Sequence, residues 1–315
     1  MIMQDNENRD IVVAALKHAA PYIRMFKHKT FMLKAGGEIF TTVESTRQLI
    51  EQIAILHQVG IRIVLVHGGG PQSTELADHL GMTTQFIEGR RVTDEQSLDV
   101  AAMVLNGQIN TRILAVCRDL DLPAVGISGV DAGLIKAHKR PPVSVAGHDA
   151  GPVDYGFVGD IDSIAADVLR TQLDSGLVPV ISPLSADESG TLLNINADTV
   201  AAALAGALGA EKMVLITGAP GILADRNDPD SLISYIDLPG LQKLRESGTL
   251  ADGMLPKAAA IEAAITGGVG RVHVISARLP DSLLLEVFTN EGTGTLVVQN
   301  IDTLSAEEQA QGAGT

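Results

Sequence analysis

The sequence has one cysteine, Cys117, in 315 residues. An internal disulfide is thereby excluded, and the usage fits a reducing compartment such as the cytosol. Positive charge is scarce as well. Twenty-three lysines and arginines stand against 38 aspartates and glutamates, a net charge of −15, which argues against nucleic acid or an anionic membrane as partner. An anionic substrate must then be held by a few placed cations, by backbone N–H groups or by a metal ion. No apolar run approaches the length of a membrane span. The opening, MIMQDNENRD, is polar and acidic, unlike a secretory or organellar leader.

Several catalytic signatures are also missing. There is no G-x-x-x-x-G-K-[ST] phosphate loop, no G-x-G-x-x-G opening a helix, no H-E-x-x-H and no cysteine pair. His138 and His148 lack metal-ligand spacing. Asp225 to Asp230 is acidic, but Pro229 and a missing glycine break the calcium-loop pattern. His67 to Gly70 matches the HGGG oxyanion segment of some esterases, yet no G-x-S-x-G elbow accompanies it, and Gly126, Ser128 and Gly129 have the wrong spacing.

What is present is organised around Ile61 to Pro71, IRIVLVHGGGP. The unbroken apolar run predicts a strand of a parallel sheet, buried on both faces. Gly68, Gly69 and Gly70 then allow close backbone approach to a ligand, and Pro71 suits the first turn of a helix over Gln72 to Leu80. Strand, glycine loop and helix N-terminus make an anion site, although a tight turn with no ligand reads the same way. Thr30 to Lys34, followed by Gly36 and Gly37, repeats the pattern. Two such units imply an α/β fold with a parallel sheet and both loops at the carboxyl ends of their strands.

Around these units the periodicity predicts a helix over Ile11 to Lys27, kinked or split by Pro21 and able to reach another subunit. Helices are expected over Thr42 to Val59, Asp94 to Asp119 and Ser163 to Ser175, with hairpins and loops between Ser128 and Gly159. The stretch Leu192 to Asn196 reads as a strand with Asn194 and Asn196 on one face, followed by a helix with Asp198 in its first turn. Arg90 and Arg91 read as surface residues or as a carboxylate clamp. Lys34 and Lys257 alone read as surface lysines. Beside glycine loops they suggest phosphoryl transfer, where the protein positions reactants and neutralises charge.

The ordered segments FMLKAGG, IVLVHGGGP, EGRRVT, YGFVGDID, LLNINADTVAAALA, LITGAPGIL, DGMLPK and EGTGTLV, spread from Thr30 to Val298, resemble the amino-acid kinase family, most closely its acetylglutamate branch. The resemblance implies a three-layer αβα sandwich with an open, mainly parallel central sheet. It implies an oligomerisation helix over 1–28, an amino-acid lobe over 29–182, an ATP lobe over 183–300 and a loose tail over 301–315. The implied reaction is ATP-dependent phosphorylation of the γ-carboxylate of N-acetyl-L-glutamate, in the cytoplasm, with Mg2+ carried by the ATP phosphates rather than by protein ligands. Lys34, Lys257 and Asp198 would be catalytic. Gly69, Gly70, Arg91 and Asn194 would bind the acceptor, and Gly36, Gly37 and Gly68 would line the phosphate path. Gly218, Ala219, Gly221, Ile222, Leu223, Thr249, Leu250 and Ala251 would form the nucleotide site. Arginine-inhibited members add an N-terminal helix that interlaces dimers into a hexamer. The corresponding L-arginine site would comprise His273, Glu286 and Gly292, with Lys212 and Tyr22. The chain departs from the family's habit at Gly218, where aspartate is frequent, at Glu38, where a neutral residue is usual, and at Gln108 and Val130, where lysine is common.

Overall fold

The computed structural model describes residues 2–87, 90–144, 151–225, 227–228, 230–250, 253–289 and 292–304. In chain order the elements are α1 (Ile2–Phe26), β1 (Thr30–Ala35), α2 (Val43–Gln58), β2 (Arg62–His67), α3 (Gly70–His79), β3 (Phe86–Ile87), β4 (Arg90–Arg91), α4 (Glu95–Ala102), a π-helical stretch (Met103–Asn110), α5 (Thr111–Asp119) and β5 (Ala124–Ser128). There follow β6 (Ile135–Lys139), β7 (Gly159–Ile164), α6 (Ala166–Asp174), β8 (Val178–Ser182), β9 (Leu184–Ala186), β10 (Leu192–Asn194), α7 (Ala197–Leu208) and β11 (Lys212–Thr217). The last are β12 (Tyr235–Asp237), α8 (Leu238–Glu246), α9 (Leu255–Thr266), β13 (Val272–Ser276), α10 (Ser282–Phe288) and β14 (Thr295–Val298).

Alternation along the central strands decides which core each side chain enters. Phe31, Leu33 and Ala35 of β1 and Ile63 and Leu65 of β2 pack with α2, α5 and α10. Met32, Val64 and Val66 point the other way, against α7 and α9. Runs such as IRIVLV are apolar at every position because both faces are covered. Eight strands form the sheet in the order β12-β14-β13-β11-β1-β2-β8-β5, with every neighbouring pair parallel except β13–β14. The layers are those of an open αβα sandwich. A second sheet, β10-β9-β6-β7, contains the hairpin β6–β7, which starts within the Ser128 to Gly159 stretch where hairpins were expected but runs on to Ile164.

Four expectations are corrected. Helix α1 runs from Ile2 to Phe26 with Pro21 inside it, without the split expected there. Proline removes one N–H, and the helix lies at the surface, where water can take the freed carbonyl. The helix expected from Ser163 begins at Ala166, because Ser163 and Ile164 still pair with Lys136 and Ile135 in the hairpin. The strand expected over Leu192 to Asn196 stops at Asn194. Asn196 is instead the N-cap of α7, its side-chain oxygen accepting from the Asp198 and Thr199 amides at 2.8 and 3.1 Å. Finally, Glu95–Asp119 is by length and hydropathy apolar enough to cross a membrane. Its apolar side is taken up here by the core, through Val100, Val104, Ile109, Ile113 and Cys117.

Candidate active site

A cavity of about 440 Å3 opens at the carboxyl ends of β1 and β2, where both glycine loops and the start of α7 converge. Strand alternation puts Lys34 on the α7 side of the sheet, like Met32. Its Nζ lies 2.9 Å from Asp198 Oδ1, an ion pair rather than an aligned hydrogen bond. Lys257, from the first turn of α9, brings Nζ to 3.7 Å from Asp198 Oδ2 and donates to the Gly253 carbonyl at 3.2 Å. Lys34 and Asp198 are buried. Burial by itself raises a carboxyl pKa, but Lys34 and then Lys257 outweigh it and hold Asp198 below the usual carboxylate range.

The two loops touch through their backbones. A Cβ on Gly37 would lie 2.9 Å from Gly69 Cα, and one on Gly68 would lie 3.1 Å from Gly37 N. Only glycine permits that approach. The space beside Gly36 is taken by the Glu38 carboxylate, which folds back at the cavity mouth. His67 is fully buried, and burial pushes it down to about 4 against the opposing pull of the Gly68 carbonyl, so it is neutral at physiological pH. It does not line the cavity.

In the same lining, Arg91 donates to Thr74 Oγ1 at 2.6 Å, Thr84 Oγ1 at 3.2 Å and the Gly70 carbonyl at 3.4 Å, and stacks over Phe86 at 5.0 Å. Its fork is thereby fixed beside the glycine loop. Asn194 faces the same space and approaches Thr93 Oγ1 at 3.4 Å. Arg140 and Tyr155, which the sequence reading did not single out, complete the wall. Arg140 is held by Asp160 through Nε and Nη2 at 3.0 and 2.6 Å. Its sequence signal is weak, a cation beside Lys139 just before Pro141 and Pro142.

Among the described residues no three histidine, cysteine or carboxylate side chains converge as a metal cage. The carboxylates lining the cavity are Glu38 and Asp198, and Asp198 is engaged by lysines. This donor set fits a divalent cation that enters on the phosphates of a nucleotide, with Glu38 at the margin.

The remaining sequence-derived residues lie outside this cavity. Gly218 and Ala219 follow β11, and Thr217 Oγ1 accepts from the Ala219 amide at 3.1 Å. The Ile222 amide donates to Thr295 Oγ1 at 2.8 Å, while the Ile222 and Leu250 side chains are buried in the core. Gly221 packs on Thr295, Leu223 bridges to Leu232, Thr249 meets Ser247, and Ala251 lies outside the described residues. His273, Glu286 and Gly292 do come together. His273 Nδ1 lies 2.5 Å from Glu286 Oε1, and Gly292, at φ +59°, turns the chain so that the Thr293 amide reaches Glu286 Oε2 at 2.7 Å. Burial opposes ionisation of Glu286, but the bond from His273 and the Thr293 amide prevail and hold it at about 2. Lys212 Nζ sits 4.7 Å over the Phe26 ring of α1, and Tyr22 packs on the same core. Lys212 pairs in register with Phe31 at the start of β1, so this cluster lies toward the strand ends opposite the cavity.

Residues 29–276 match the family model described as the amino acid kinase family. An acetylglutamate kinase of Myxococcus xanthus (strain DK1622) is 49% identical over 91% of this chain and 94% of its own. One of Heliobacterium modesticaldum is 45% identical over 90% and 97%. Among solved structures, N-acetylglutamate synthase from Neisseria gonorrhoeae, complexed with coenzyme A and L-arginine, superposes with a TM-score of 0.78 at 30% identity. That match covers 91% of this chain and 65% of the synthase chain. The geometry of the glycine loops and lysines and these matches agree, and the chain belongs to the amino acid kinase family.

Proposed function

We propose that this kinase transfers the γ-phosphoryl group of ATP to the γ-carboxylate of N-acetyl-L-glutamate, in the arginine-forming sequence and in the cytosol. The observation that carries the reading is the Lys34–Asp198–Lys257 bridge in the lining of a cavity that Arg91 also lines. A carboxylate with an ordinary pKa of about 4.3 is ionised at neutral pH and needs no general base. The task is to bring two anions together, and cations and N–H donors do that. One acceptor oxygen forms the bond to phosphorus as the bond to the β–γ bridging oxygen breaks, giving an acyl phosphate and ADP. Lys34 and Lys257 neutralise the transferring group, and Asp198 holds both. Gly36, Gly37, Gly68, Gly69 and Gly70 supply the close backbone, Arg91 pairs the α-carboxylate, and Asn194 bonds the amide end of the acceptor. Magnesium, bound to the ATP phosphates, would screen their charge.

Nucleotide binding is assigned to Gly218, Ala219, Gly221, Ile222 and Leu223, with Thr249 and Leu250 opposite. The sheet order supports a lobe over 29–182, with β1, β2, β5 and β8, and a nucleotide lobe over 183–300, with β11 to β14. Exposed Ile11, Val12, Val13, Leu16 and Met25 on α1 support its use between copies of the chain in a dimer or hexamer. The His273, Glu286, Gly292, Lys212 and Tyr22 cluster beside that helix is the proposed L-arginine site, a reading supported by the arginine complex of the synthase. Arginine's guanidinium would share Glu286 with its present partners. The test is ADP release with N-acetylglutamate, N-acetylaminoadipate, glutamate and aspartate in turn, with and without arginine. Turnover with N-acetylglutamate alone, lowered by arginine, is expected. Preference for the longer acceptor would move the assignment to a sister kinase.

A further inference from the structure

Glycine is the residue least able to hold a backbone orientation by itself, yet the chemistry above needs the N–H groups of two glycine loops aimed at one point. Two buried polar side chains outside the cavity lining, Gln72 and His67, are fastened to those loops, and a third, Asn110, holds His67. Gln72, in the first turn of α3, donates from Nε2 to the Gly37 carbonyl at 2.6 Å and so ties the second loop to the first. Its Oε1 is buried and finds no partner among the described residues. The amide makes one interaction, then, and leaves its other half unsatisfied to keep it.

On the other side, His67 Nδ1 lies 3.1 Å from the Gly68 carbonyl and Nε2 lies 3.2 Å from Asn110 Nδ2, which also donates to the Val180 carbonyl at 2.9 Å. An amide NH2 only donates, so Nε2 accepts and the ring proton sits on Nδ1, facing Gly68. Asn110 closes the π-helical stretch, whose Leu105 and Ile109 pack against Gly69. A trans peptide points its C=O and the following N–H in opposite directions. Holding the Gly37 and Gly68 carbonyls therefore fixes the Glu38 and Gly69 N–H groups, and the latter has no acceptor among the described residues.

We propose that Gln72 and the His67–Asn110 pair are positioning residues for phosphoryl transfer, which aim the amides of both glycine loops by holding the carbonyls behind them. The proposal rests on the phosphoryl-transfer reading. Charged groups on the surrounding elements do not engage His67. Lys34 on β1 pairs with Asp198, Glu38 folds over Gly36, and Glu75 and Asp78 on α3 are exposed.

The test compares Gln72→Met and Asn110→Asp with the wild type in acyl phosphate formation, alongside thermal melting. Gln72→Met keeps the shape, loses the donor and removes the unpaired acceptor. Its kcat should fall about 10-fold or more, with both KM values within about twofold and an unchanged or higher melting temperature. A merely structural glutamine would lower the melting temperature and leave the folded enzyme's kcat intact. Asn110→Asp turns a donor into an acceptor, so Nε2 must take a proton, and Nδ1 goes on donating to Gly68 only in the imidazolium. Its kcat should fall with rising pH through histidine's range, where the wild type's does not. An active wild type with both variants indifferent overturns this proposal alone. An inactive wild type, with no acceptor turned over, sinks the phosphoryl-transfer reading and this proposal with it.

Discussion

Replacing Asp198 by asparagine removes one negative charge from between two lysines and barely changes the side chain's shape. At 2.9 and 3.7 Å and an effective dielectric near 20, the gross attractions are about 6 and about 4 kcal/mol. Desolvation of the buried groups offsets much of this, and breaking a buried pair costs about 3–5 kcal/mol in practice. The two lysines do not share that cost equally. The Lys34 side chain is 7% exposed and that of Lys257 20%, so Lys257 can turn toward water and Lys34 cannot. Asp198→Asn should therefore lower the unfolding free energy by about 3 kcal/mol, most of it from the stranded Lys34. It should also lower kcat about 100-fold or more, since neither lysine is then held at the transferring group. Urea unfolding and acyl phosphate formation measure the two effects. The double variant Lys34→Met/Asp198→Asn removes both buried charges, so stability should recover in part while activity does not. A single variant within threefold of wild-type kcat, or a double variant less stable than the single, would rule out this role for Asp198.

Other outcomes follow from the same geometry. Arg91→Lys loses the fork that reaches Thr74, Thr84 and Gly70 together, so steady-state kinetics should give a KM for N-acetylglutamate raised about tenfold with kcat little changed. Glu286 is held at about 2, against an ordinary 4.5, so the fold favours its ionised form. The unfolded carboxylate takes its proton first as pH falls, and stability present above about 4.5 is lost toward 2, by at most about 3 kcal/mol. Urea melts at several acidic pH values should show Glu286→Gln with a flatter loss over that window than the wild type. A chain starting at Arg24 should assemble into fewer copies than the full chain, judged by light-scattering mass divided by chain mass; an equal number of copies would end the role proposed for α1.

The glycine loops were legible because each carries a local signature, a buried strand running into a glycine pair or triplet and then a helix start; Lys34 and Lys257 alone read as surface lysines, and only those loops and the family resemblance pointed to a role for them. Asp198 was legible as a helix-start carboxylate, but its place between Lys34 and Lys257 is a tertiary fact that only the family resemblance anticipated. Periodicity failed where one residue changes role at a boundary. Asn196 fits the alternation of LLNIN as well as Asn194 does, but capping α7 satisfies two amides that a longer strand would have left bare. Nor does any local pattern mark the π register at Met103–Asn110, since its apolar spacing matches an ordinary amphipathic helix. Gln72 acts on a carbonyl 35 residues away, and Arg140 owes its orientation to Asp160 across a hairpin. Both depend on pairings made only once the chain folds.

In the proposed reaction this cavity makes an acyl phosphate on the side-chain carboxylate of N-acetyl-L-glutamate. Hydroxylamine trapping detects that product, because it reads the bond formed rather than ATP consumed. With magnesium ATP the γ-hydroxamate of N-acetylglutamate is expected, with none when the acceptor is omitted and a strong loss in Lys34→Met and Lys257→Met. ADP release without any hydroxamate, or hydroxamate undiminished in both lysine variants, would contradict it.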